Sequence, residues 1–198
     1  ESGDGCIYGE GGNHFLAAIR RNVDITLIVH DSQIYGLTKG QASPMTERGY
    51  VTKAQPQGVN MNPFKPLAVA VAMGATFVAR SFSGMEDHLA DTLARAMAHK
   101  GFSIVDVLQP CVTFNKINNF SWYKKRCQEL GSDHDPTDLK AAIEVASEWG
   151  DRIPVGIIYE IDAPTFEDGV EVLKAGPLKD APVPSLRDIL DHYSPSSF

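Results

Sequence analysis

The turn Gly3-Asp4-Gly5, close to the start of the chain, constrains the fold more than any other feature of the sequence. A helical segment follows it, and then the apolar residues 23–29, which end in a second polar cluster at 31–38. In an open α/β sheet, both polar clusters would lie at the carboxyl ends of parallel strands, where ligands bind. We therefore expect a single site at this edge of the sheet.

Asp4 and Ser32 are candidate ligands for one ion, since the sequence between them is long enough for one crossover helix and one strand. A carboxylate with further oxygen ligands suits Mg²⁺, which usually also takes phosphate oxygens from its substrate. Gly3 and Gly5 let the backbone approach a phosphate closely. The N–H groups at the start of the following helix add a partial positive charge. These residues predict a site for Mg²⁺ and a diphosphate.

Two other interpretations of the turn compete with this one. Asp4 could simply accept hydrogen bonds from backbone N–H groups of its own turn. The glycines could belong to a dinucleotide fingerprint, but Tyr8 stands where the third glycine is required. His14 stands at the corresponding position after Gly9 and Gly11. A Rossmann nucleotide site is therefore not expected.

The composition is that of one globular domain, with 43% hydrophobic and 22% charged residues in a chain of 198. A net charge of −7 argues against a nucleic-acid surface, where a basic patch is expected. No apolar run is long enough to cross a membrane. Cys6, Cys111 and Cys127 are too few for a disulfide scaffold, and no signal peptide is visible. These features predict a cytoplasmic protein.

Apolar periodicity predicts alternating helices and strands, and hence a mostly parallel sheet. Residues 1–162 are expected to form this domain, and 163–198 a C-terminal extension rich in proline and charge. Asp135 is predicted to cap a helix that begins at Pro136. The other predicted helices are 10–21, 63–73, 85–100, 121–130 and 185–192, and the predicted strands are 25–29, 76–82, 102–108 and 153–161. Residues 38–62 form a long loop, which is typical of a functional segment.

Three further stretches carry a resemblance to a known family: GGNHFLAAIRRNVDIT, DSQIYGLTKGQ and DVLQPCVTFN. With the Gly-Asp-Gly turn they resemble the beta subunit of 2-oxoacid:ferredoxin oxidoreductases, the subunit that binds thiamine diphosphate. The similarity runs from Gly3 to about Tyr123. The family's N-terminal segment, with its Cys-x-x-Cys pair, is expected to be missing, and so is the strand that should deliver the turn.

The resemblance implies the thiamine diphosphate-binding fold, an α/β domain whose mostly parallel sheet has helices on both faces. It implies that Asp4, Ser32 and the carbonyl of Ile34 bind Mg²⁺, although relatives usually carry Asn or Thr in place of Ser32. Leu37 and Lys39 would border the thiazolium ring and the substrate, Leu37 shaping the acyl pocket and Lys39 pairing with a substrate carboxylate. The cofactor-binding residues implied are Gly3, Asp4, Gly5, Cys6, Asn13, His14, Ser32, Ile34, Tyr35, Gly36, Leu37 and Thr38.

Cys111 matches the last thiolate ligand of a four-iron four-sulfur cluster in the family. Such a cluster needs four cysteines, whereas this sequence contains three. Cys6 and Cys127 do not match the family's ligand positions. A cluster is therefore expected only if cysteines outside this sequence complete it. The alternative for Cys111 is a small buried apolar residue.

The activity that the resemblance implies is coenzyme A-dependent oxidative decarboxylation of a 2-oxoacid, with electrons passed to ferredoxin. Because Leu37 stands where pyruvate-specific relatives tend to carry Asn, 2-oxoglutarate or a broad range of 2-oxoacids is expected. The implied partners are ferredoxin, coenzyme A and an alpha subunit without which the chain is inactive, in a dimer of heterodimers. The alternatives are a non-redox thiamine enzyme of the decarboxylase or acetolactate synthase type, and a non-catalytic assembly subunit.

Overall fold

The computed structural model describes residues 1–193, which fall into two compact units that divide between Phe166 and Glu167. The first unit contains a six-stranded sheet. The second contains short 3₁₀ turns and one helix, whose N-cap is Ser185, close to the predicted helix at 185–192. The assignment of 1–162 to the cofactor and 163–198 to an extension stays a prediction, and 194–198 lie outside the described residues.

The sheet has the strand order β1-β2-β4-β3-β6-β5. Every neighbouring pair is parallel except β3 and β6, which are antiparallel. The predicted α/β architecture with a mostly parallel sheet is thus confirmed. The strands are β1 (Ser2–Gly3), β2 (Thr26–Asp31), β3 (Phe77–Phe82), β4 (Ser103–Leu108), β5 (Cys127–Glu129) and β6 (Ile153–Glu160).

A π-helix, Gly5–Glu10, follows β1 directly, and α-helices connect most of the other strands. No helix within residues 1–193 combines the length and the apolarity that crossing a membrane requires. The α-helices are α1 (Gly12–Arg21), α2 (Pro66–Ala72), α3 (Glu86–Ala98), α4 (Phe120–Lys124), α5 (Leu139–Ser147) and α6 (Leu186–His192).

Helices cover both faces of the sheet, as predicted. On one face, residues of the π-helix, α1, α2 and α5 pack in a single apolar core with Val29, Val78 and Ile104. On the other face, α3 packs on Phe77 and Val105. All six residues of β3 and all six of β4 are buried, which is why these strands are apolar with little alternation.

The prediction that no strand delivers the Gly-Asp-Gly turn was wrong. Ser2 and Gly3 form β1 and pair in parallel with Val29 and His30 of β2. Two residues are too few to show periodicity, so this strand is recognised only by its pairing with β2. The turn is therefore fixed at the sheet edge by backbone hydrogen bonds.

The helix predicted at 121–130 was also partly wrong. α4 ends at Lys124, and Cys127–Glu129 form β5, paired in parallel with Ile153–Val155. Residues 121–130 include several with high helix propensity, but pairing with β6 outweighs that preference. Tertiary context thus decides the structure of this segment.

The start of α5 differs from the prediction as well. Asp135 does not cap it; its carboxylate accepts hydrogen bonds from the backbone N–H and hydroxyl of Thr137 in the preceding turn. The N-cap is Asp138, which accepts from the N–H groups of Lys140 and Ala141. A second aspartate three residues along provided an equally good cap, and the sequence pattern did not distinguish them.

Candidate functional site

The turn after β1 and the end of β2 bring the three predicted metal ligands together. The hydroxyl oxygen of Ser32 lies 3.2 Å from Asp4 Oδ1 and 2.9 Å from the carbonyl oxygen of Ile34, so its single hydrogen is within donating distance of both. The backbone N–H of Ser32 also donates to Asp4 Oδ1, at 3.3 Å. A carboxylate, a hydroxyl and a carbonyl therefore converge on one point at the carboxyl edge of the sheet. Their role in binding a metal stays a prediction.

The chemistry of these three groups fits Mg²⁺. All are oxygen donors, and a metal held by them keeps coordination positions for phosphate oxygens and water. Within residues 1–193, no three His, Cys, Asp or Glu side chains are grouped as a metal site. The candidate site offers a single carboxylate, so it is less charged than such a cluster and suits an ion that arrives with its diphosphate.

Asp4 itself is 1% exposed, and burial raises the pKa of its carboxyl above the ordinary value. Hydrogen bonds from Ser43 and Ser32 partly oppose this rise. A buried carboxylate gains from a nearby positive charge, because the charge offsets the lost hydration of the ionised form. A bound cation would therefore favour the ionised form of Asp4.

A second buried carboxylate, Asp31, lies at the end of β2. Its Oδ1 accepts a hydrogen bond from the backbone N–H of Gln33 at 3.1 Å, while Oδ2 has no hydrogen-bond partner among residues 1–193. Burial first, and then the charges of Asp106 and Asp4, raise its pKa well above the ordinary value. Asp31 is therefore a second buried carboxyl group close to Asp4, and a positive charge nearby would favour its ionised form.

A cavity of about 470 Å³ opens beside these ligands. Most of the predicted cofactor-binding residues line it, together with Ser2 and Glu10. Asn13 and His14 do not: both are exposed on α1, outside the lining of this cavity. The predicted residues that line it are Gly3, Asp4, Gly5, Cys6, Ser32, Ile34, Tyr35, Gly36, Leu37 and Thr38.

A larger cavity, of about 530 Å³, lies between α3 and β6, on the side of the sheet away from these motifs. His88, Asp91 and His134 are among its lining residues, and none of the predicted cofactor residues is. Volume alone therefore does not identify the site. The smaller cavity is the better candidate because oxygen ligands and a helix start converge on it.

The π-helix begins at Gly5, and the side chain of Asp4 does not cap it. The first N–H groups of a helix lack partners within the helix, so they are available to an anion in the cavity. Gly5 is required here, because a Cβ at this position would collide with the ring of Tyr35. The hydroxyl oxygen of Tyr35 lies 3.2 Å from the carbonyl oxygen of Gly5 and 3.1 Å from the carboxylate of Glu10, so its single hydrogen can be donated to either.

Leu37 and Lys39, the predicted substrate-facing residues, lie on a tight turn closed by pairing between Tyr35 and Gln41. The Leu37 side chain lines the mouth of the cavity and is 98% exposed. Lys39 has a positive φ of 73° and is exposed, and it does not line the cavity. The turn thus presents an apolar side chain and a cation away from the body of the chain.

Cys111 is half-buried and follows β4, at the same edge of the sheet as the cavity. Its sulfur lies close to Gly36, 3.7 Å from where a Cβ on that glycine would be. Cys6 is exposed in the cavity, whereas Cys127 is half-buried in β5, where burial raises its pKa to about 11. Of the three cysteines, Cys6 and Cys111 therefore lie near the candidate site.

The sequence did not predict Ser43 and Thr46, although it identified the loop 38–62 that contains them. The Ser43 hydroxyl donates to Asp4 Oδ2 at 2.5 Å, and the Thr46 hydroxyl donates to the carbonyl of Gln33 at 2.6 Å. No periodicity or motif spacing distinguishes these two residues from other hydroxyl residues of the loop. Their contacts arise only when the loop folds back over the sheet edge.

A buried polar layer, formed by the side chains of Tyr8, Asp106 and Arg80, connects the π-helix to the sheet. Tyr8 donates its hydroxyl hydrogen to Asp106 Oδ1 at 2.9 Å, and Arg80 Nε lies 3.9 Å from Asp106 Oδ2. The Arg80 guanidinium also donates to the backbone carbonyls of Ala146 and Pro154. Burial raises the pKa of Asp106 to about 6, while Arg80 and the Tyr8 hydrogen bond oppose the rise. This layer ties the π-helix to β3 and β4.

Two protein-family models match the sequence. Residues 1–107 match the C-terminal TPP-binding domain of thiamine pyrophosphate enzymes, thiamine pyrophosphate being another name for thiamine diphosphate. Residues 111–175 match the C-terminal part of the pyruvate ferredoxin oxidoreductase beta subunit. The first match covers the whole candidate site apart from Cys111, and the second begins at that cysteine.

Curated relatives agree with these matches. The chain is 44% identical over 181 residues to a 2-oxoacid:ferredoxin oxidoreductase beta subunit of a Sulfolobus species, covering 85% of this chain and 59% of that protein. It is 46% identical over 168 residues to the beta subunit of enzyme 1 from Aeropyrum pernix, covering 79% and 53%. It is 41% identical over 159 residues to the 2-oxoglutarate synthase subunit KorB of Archaeoglobus fulgidus, covering 76% and 60%. The chain thus spans little more than half the length of these relatives.

A solved structure shows the same fold. It is the 2-oxoglutarate:ferredoxin oxidoreductase from Magnetococcus marinus with 2-oxoglutarate, coenzyme A and succinyl-CoA bound. The match has a TM-score of 0.87 at 34% sequence identity and covers 98% of this chain and 66% of that one. Nearly the whole chain therefore has a structural counterpart in that protein.

Proposed function

The chain belongs to the beta subunits of the 2-oxoacid:ferredoxin oxidoreductases, and from this membership we propose that it binds thiamine diphosphate through Mg²⁺ held at Asp4, Ser32 and Ile34. The observation that supports the proposal most strongly is the meeting of these three oxygens, beside the uncapped start of the π-helix. An ion there and a diphosphate on the helix N–H groups would share one cavity.

Thiamine diphosphate, when bound, supplies the electron sink for cleaving the bond next to a 2-oxo group. The residues of this chain hold and orient it. Asp4 provides the negative charge toward the ion, and Ser32 and the Ile34 carbonyl complete the protein side of its coordination. Gly5 and Cys6 offer backbone N–H groups to the diphosphate, and Tyr35, Gly36 and Thr38 also line the cavity.

The reaction of the assembled enzyme is coenzyme A-dependent oxidative decarboxylation of a 2-oxoacid, with electrons passed to ferredoxin. 2-Oxoglutarate, or a broad range of 2-oxoacids, is the proposed substrate. The support is the naming of several relatives for 2-oxoglutarate, together with the exposed turn that carries Leu37 and Lys39. Leu37 would pack on the acyl chain and Lys39 would pair with a second carboxylate. We propose that the alpha subunit of the dimer of heterodimers packs over this turn.

The test is an assay of the full-length protein purified with its partner subunit. We expect 2-oxoglutarate to reduce ferredoxin only when coenzyme A is present, and the separated beta subunit to be inactive. Carbon dioxide release without coenzyme A or an electron acceptor would point instead to a non-redox thiamine enzyme. An assembled protein that binds no thiamine diphosphate would support the assembly-subunit alternative.

Cys111 is the proposed last ligand of an iron–sulfur cluster that cysteines outside this sequence complete. Replacing it with serine should remove or destabilise the cluster, because a thiolate is the ligand that iron–sulfur clusters require. Iron and sulfide analysis of the full-length assembly measures this, with thiamine diphosphate content expected to be unchanged. Cys127→Ser is the control, since Cys127 lies in β5. Full iron content in the Cys111→Ser protein would reduce Cys111 to a packing residue.

A further inference from the structure

We propose that Thr46 and Ser43, in the loop 38–62, are positioning residues for the metal site. They hold its two halves, Asp4 on one side and Ser32 with Ile34 on the other, at a fixed separation. The inference rests on the proposed function, because it concerns the site of Asp4, Ser32 and Ile34. Neither hydroxyl is placed as a ligand. Each acts on a backbone or side-chain group that presents a ligand.

Ser43 acts on the first half of the site. Its hydroxyl donates to Asp4 Oδ2 at 2.5 Å, while Oδ1 of the same carboxylate faces Ser32. The two carboxylate oxygens therefore accept hydrogen bonds from different residues, which fixes the plane of the carboxylate. A ligand carboxylate held in this way needs little reorganisation when the ion arrives.

Thr46 acts on the second half. Its hydroxyl donates at 2.6 Å to the carbonyl of Gln33, the residue between Ser32 and Ile34. Gln33 has φ of +57°, a left-handed conformation that is uncommon for a residue other than glycine. This conformation reverses the chain so that the Ser32 side chain and the Ile34 carbonyl point to the same place. Such a conformation persists only when the surroundings hold it.

The two hydroxyl residues form one unit. The backbone N–H of Ser43 donates to Thr46 Oγ1 at 2.8 Å, and the backbone N–H of Met45 donates to Ser43 Oγ at 3.2 Å. Both side chains are buried, with 4% and 3% exposure. A single turn of the loop therefore reaches Asp4 on one side and Gln33 on the other, and it sets the distance between the two halves.

The experiment compares Thr46→Val with Thr46→Ser in the full-length protein assembled with its partner subunit. Valine keeps the shape and loses the hydroxyl, whereas serine keeps the hydroxyl. The readout is the affinity for Mg²⁺ at saturating thiamine diphosphate, with unfolding in the absence of both measured alongside. We expect Thr46→Val to weaken Mg²⁺ binding by about tenfold or more and Thr46→Ser by less than about threefold, as for residues that orient a metal ligand.

Thr52→Val is the matched control. Thr52 lies in the same loop and is buried, but its hydroxyl bonds only within the local turn to Gln55. The Thr52→Val protein should lose about as much stability as the Thr46→Val protein but keep the Mg²⁺ affinity of the wild type. Ser43→Ala should also weaken Mg²⁺ binding, whereas Ser103→Ala, at a buried hydroxyl without a hydrogen-bond partner among residues 1–193, should not.

Two results would overturn the inference while leaving the metal site in place. One is a Thr46→Val protein that binds Mg²⁺ as the wild type does. The other is a Thr46→Ser or Thr52→Val protein that loses as much affinity as Thr46→Val, since the effect would then come from loop packing. If the wild-type assembly binds no Mg²⁺ with thiamine diphosphate, the proposed function fails and this inference with it.

Discussion

Replacing Asp4 with asparagine should strip thiamine diphosphate and Mg²⁺ from the protein while leaving the metal-free fold about as stable as the wild type. Asp4 supplies the only carboxylate among the three proposed ligands, so the loss should exceed the ten- to hundredfold typical of residues that merely orient a ligand. Stability should change little, because asparagine has the same shape and avoids burying a charge, which offsets the hydrogen bond that the amide nitrogen cannot accept. Burial raises the pKa of Asp4 in the folded protein, so the ionised carboxylate is less stable there than in water.

The measurements are the cofactor content after gel filtration and the melting temperature without added Mg²⁺. Asp162→Asn is the control, since Asp162 is an exposed aspartate away from the cavity. Cofactor content equal to that of the wild type would show that Asp4 is only a turn residue. A fall in melting temperature as large as that of a core substitution would instead mean that Asp4 is structural.

Replacing Arg80 with methionine should destabilise the fold by about 3 to 5 kcal/mol at neutral pH, the usual cost of breaking a buried ion pair. Arg80 is 4% exposed, and its nearest charge is Asp106, at 3.9 Å. Its removal leaves the Asp106 carboxylate buried without a compensating charge. The two backbone carbonyls that accept from the guanidinium also lose their donor.

The loss should depend on pH in a definite direction. The pKa of Asp106 is raised from 3.8 to about 6 in the folded protein, and without Arg80 it rises further. Below the folded pKa the carboxyl keeps its proton and carries no charge, so the destabilisation should be smaller at pH 5 than at pH 7.5. The double replacement Arg80→Met with Asp106→Asn should recover much of the loss at neutral pH.

Denaturant unfolding of the four proteins in this cycle measures the effect. Arg152→Met provides a surface control, because Arg152 pairs with Glu148 at 2.8 Å but is largely solvated. That change should cost less than about 1 kcal/mol. An Arg80→Met protein that loses no more than this control, or a loss independent of pH, would mean that the buried pair contributes little.

The central strands and the meeting of Asp4 with Ser32 could be predicted from the sequence. β3 and β4 are apolar at four of their six positions each, and all six positions are buried because helices cover both faces of the sheet. The carboxyl ends of parallel strands share one edge, so polar residues that follow β1 and β2 have to lie near each other. The resemblance to a family then named the cofactor, and the family model that matches residues 1–107 is that of a thiamine pyrophosphate-binding domain.

Features that depend on pairing between distant segments could not be predicted. β1 and β5 are described over two and three residues, too few for periodicity, and they are recognised by their pairing with β2 and β6. The contacts of Ser43 with Asp4 and of Thr46 with Gln33 form only when the loop 38–62 folds back over the sheet edge. That loop has no periodicity from which its path could be predicted. Asn13 and His14 were assigned by their place in a motif, and a motif does not show which side of a helix faces the cavity.

The buried layer of Tyr8, Asp106 and Arg80 was missed for a different reason. In a sequence, a charged residue within an apolar run suggests a position that faces solvent in an alternating strand. Here Val29, Asp106 and Arg80 are register partners on adjacent strands, so the two charges meet across the sheet. The sequence shows that each charged residue is present. The pairing between them, which offsets the free-energy cost of burying each charge, is visible only in the folded sheet.

Calorimetric titration of thiamine diphosphate into the full-length assembly, with and without Mg²⁺, tests the metal-dependent binding at Asp4 most directly. The protein is first treated with a chelator to remove bound divalent ions. Saturable binding of one thiamine diphosphate per chain with Mg²⁺ present, and little binding without it, is the result we predict. Binding of equal affinity in the chelator-treated protein would contradict a diphosphate held through the ion at Asp4, Ser32 and Ile34.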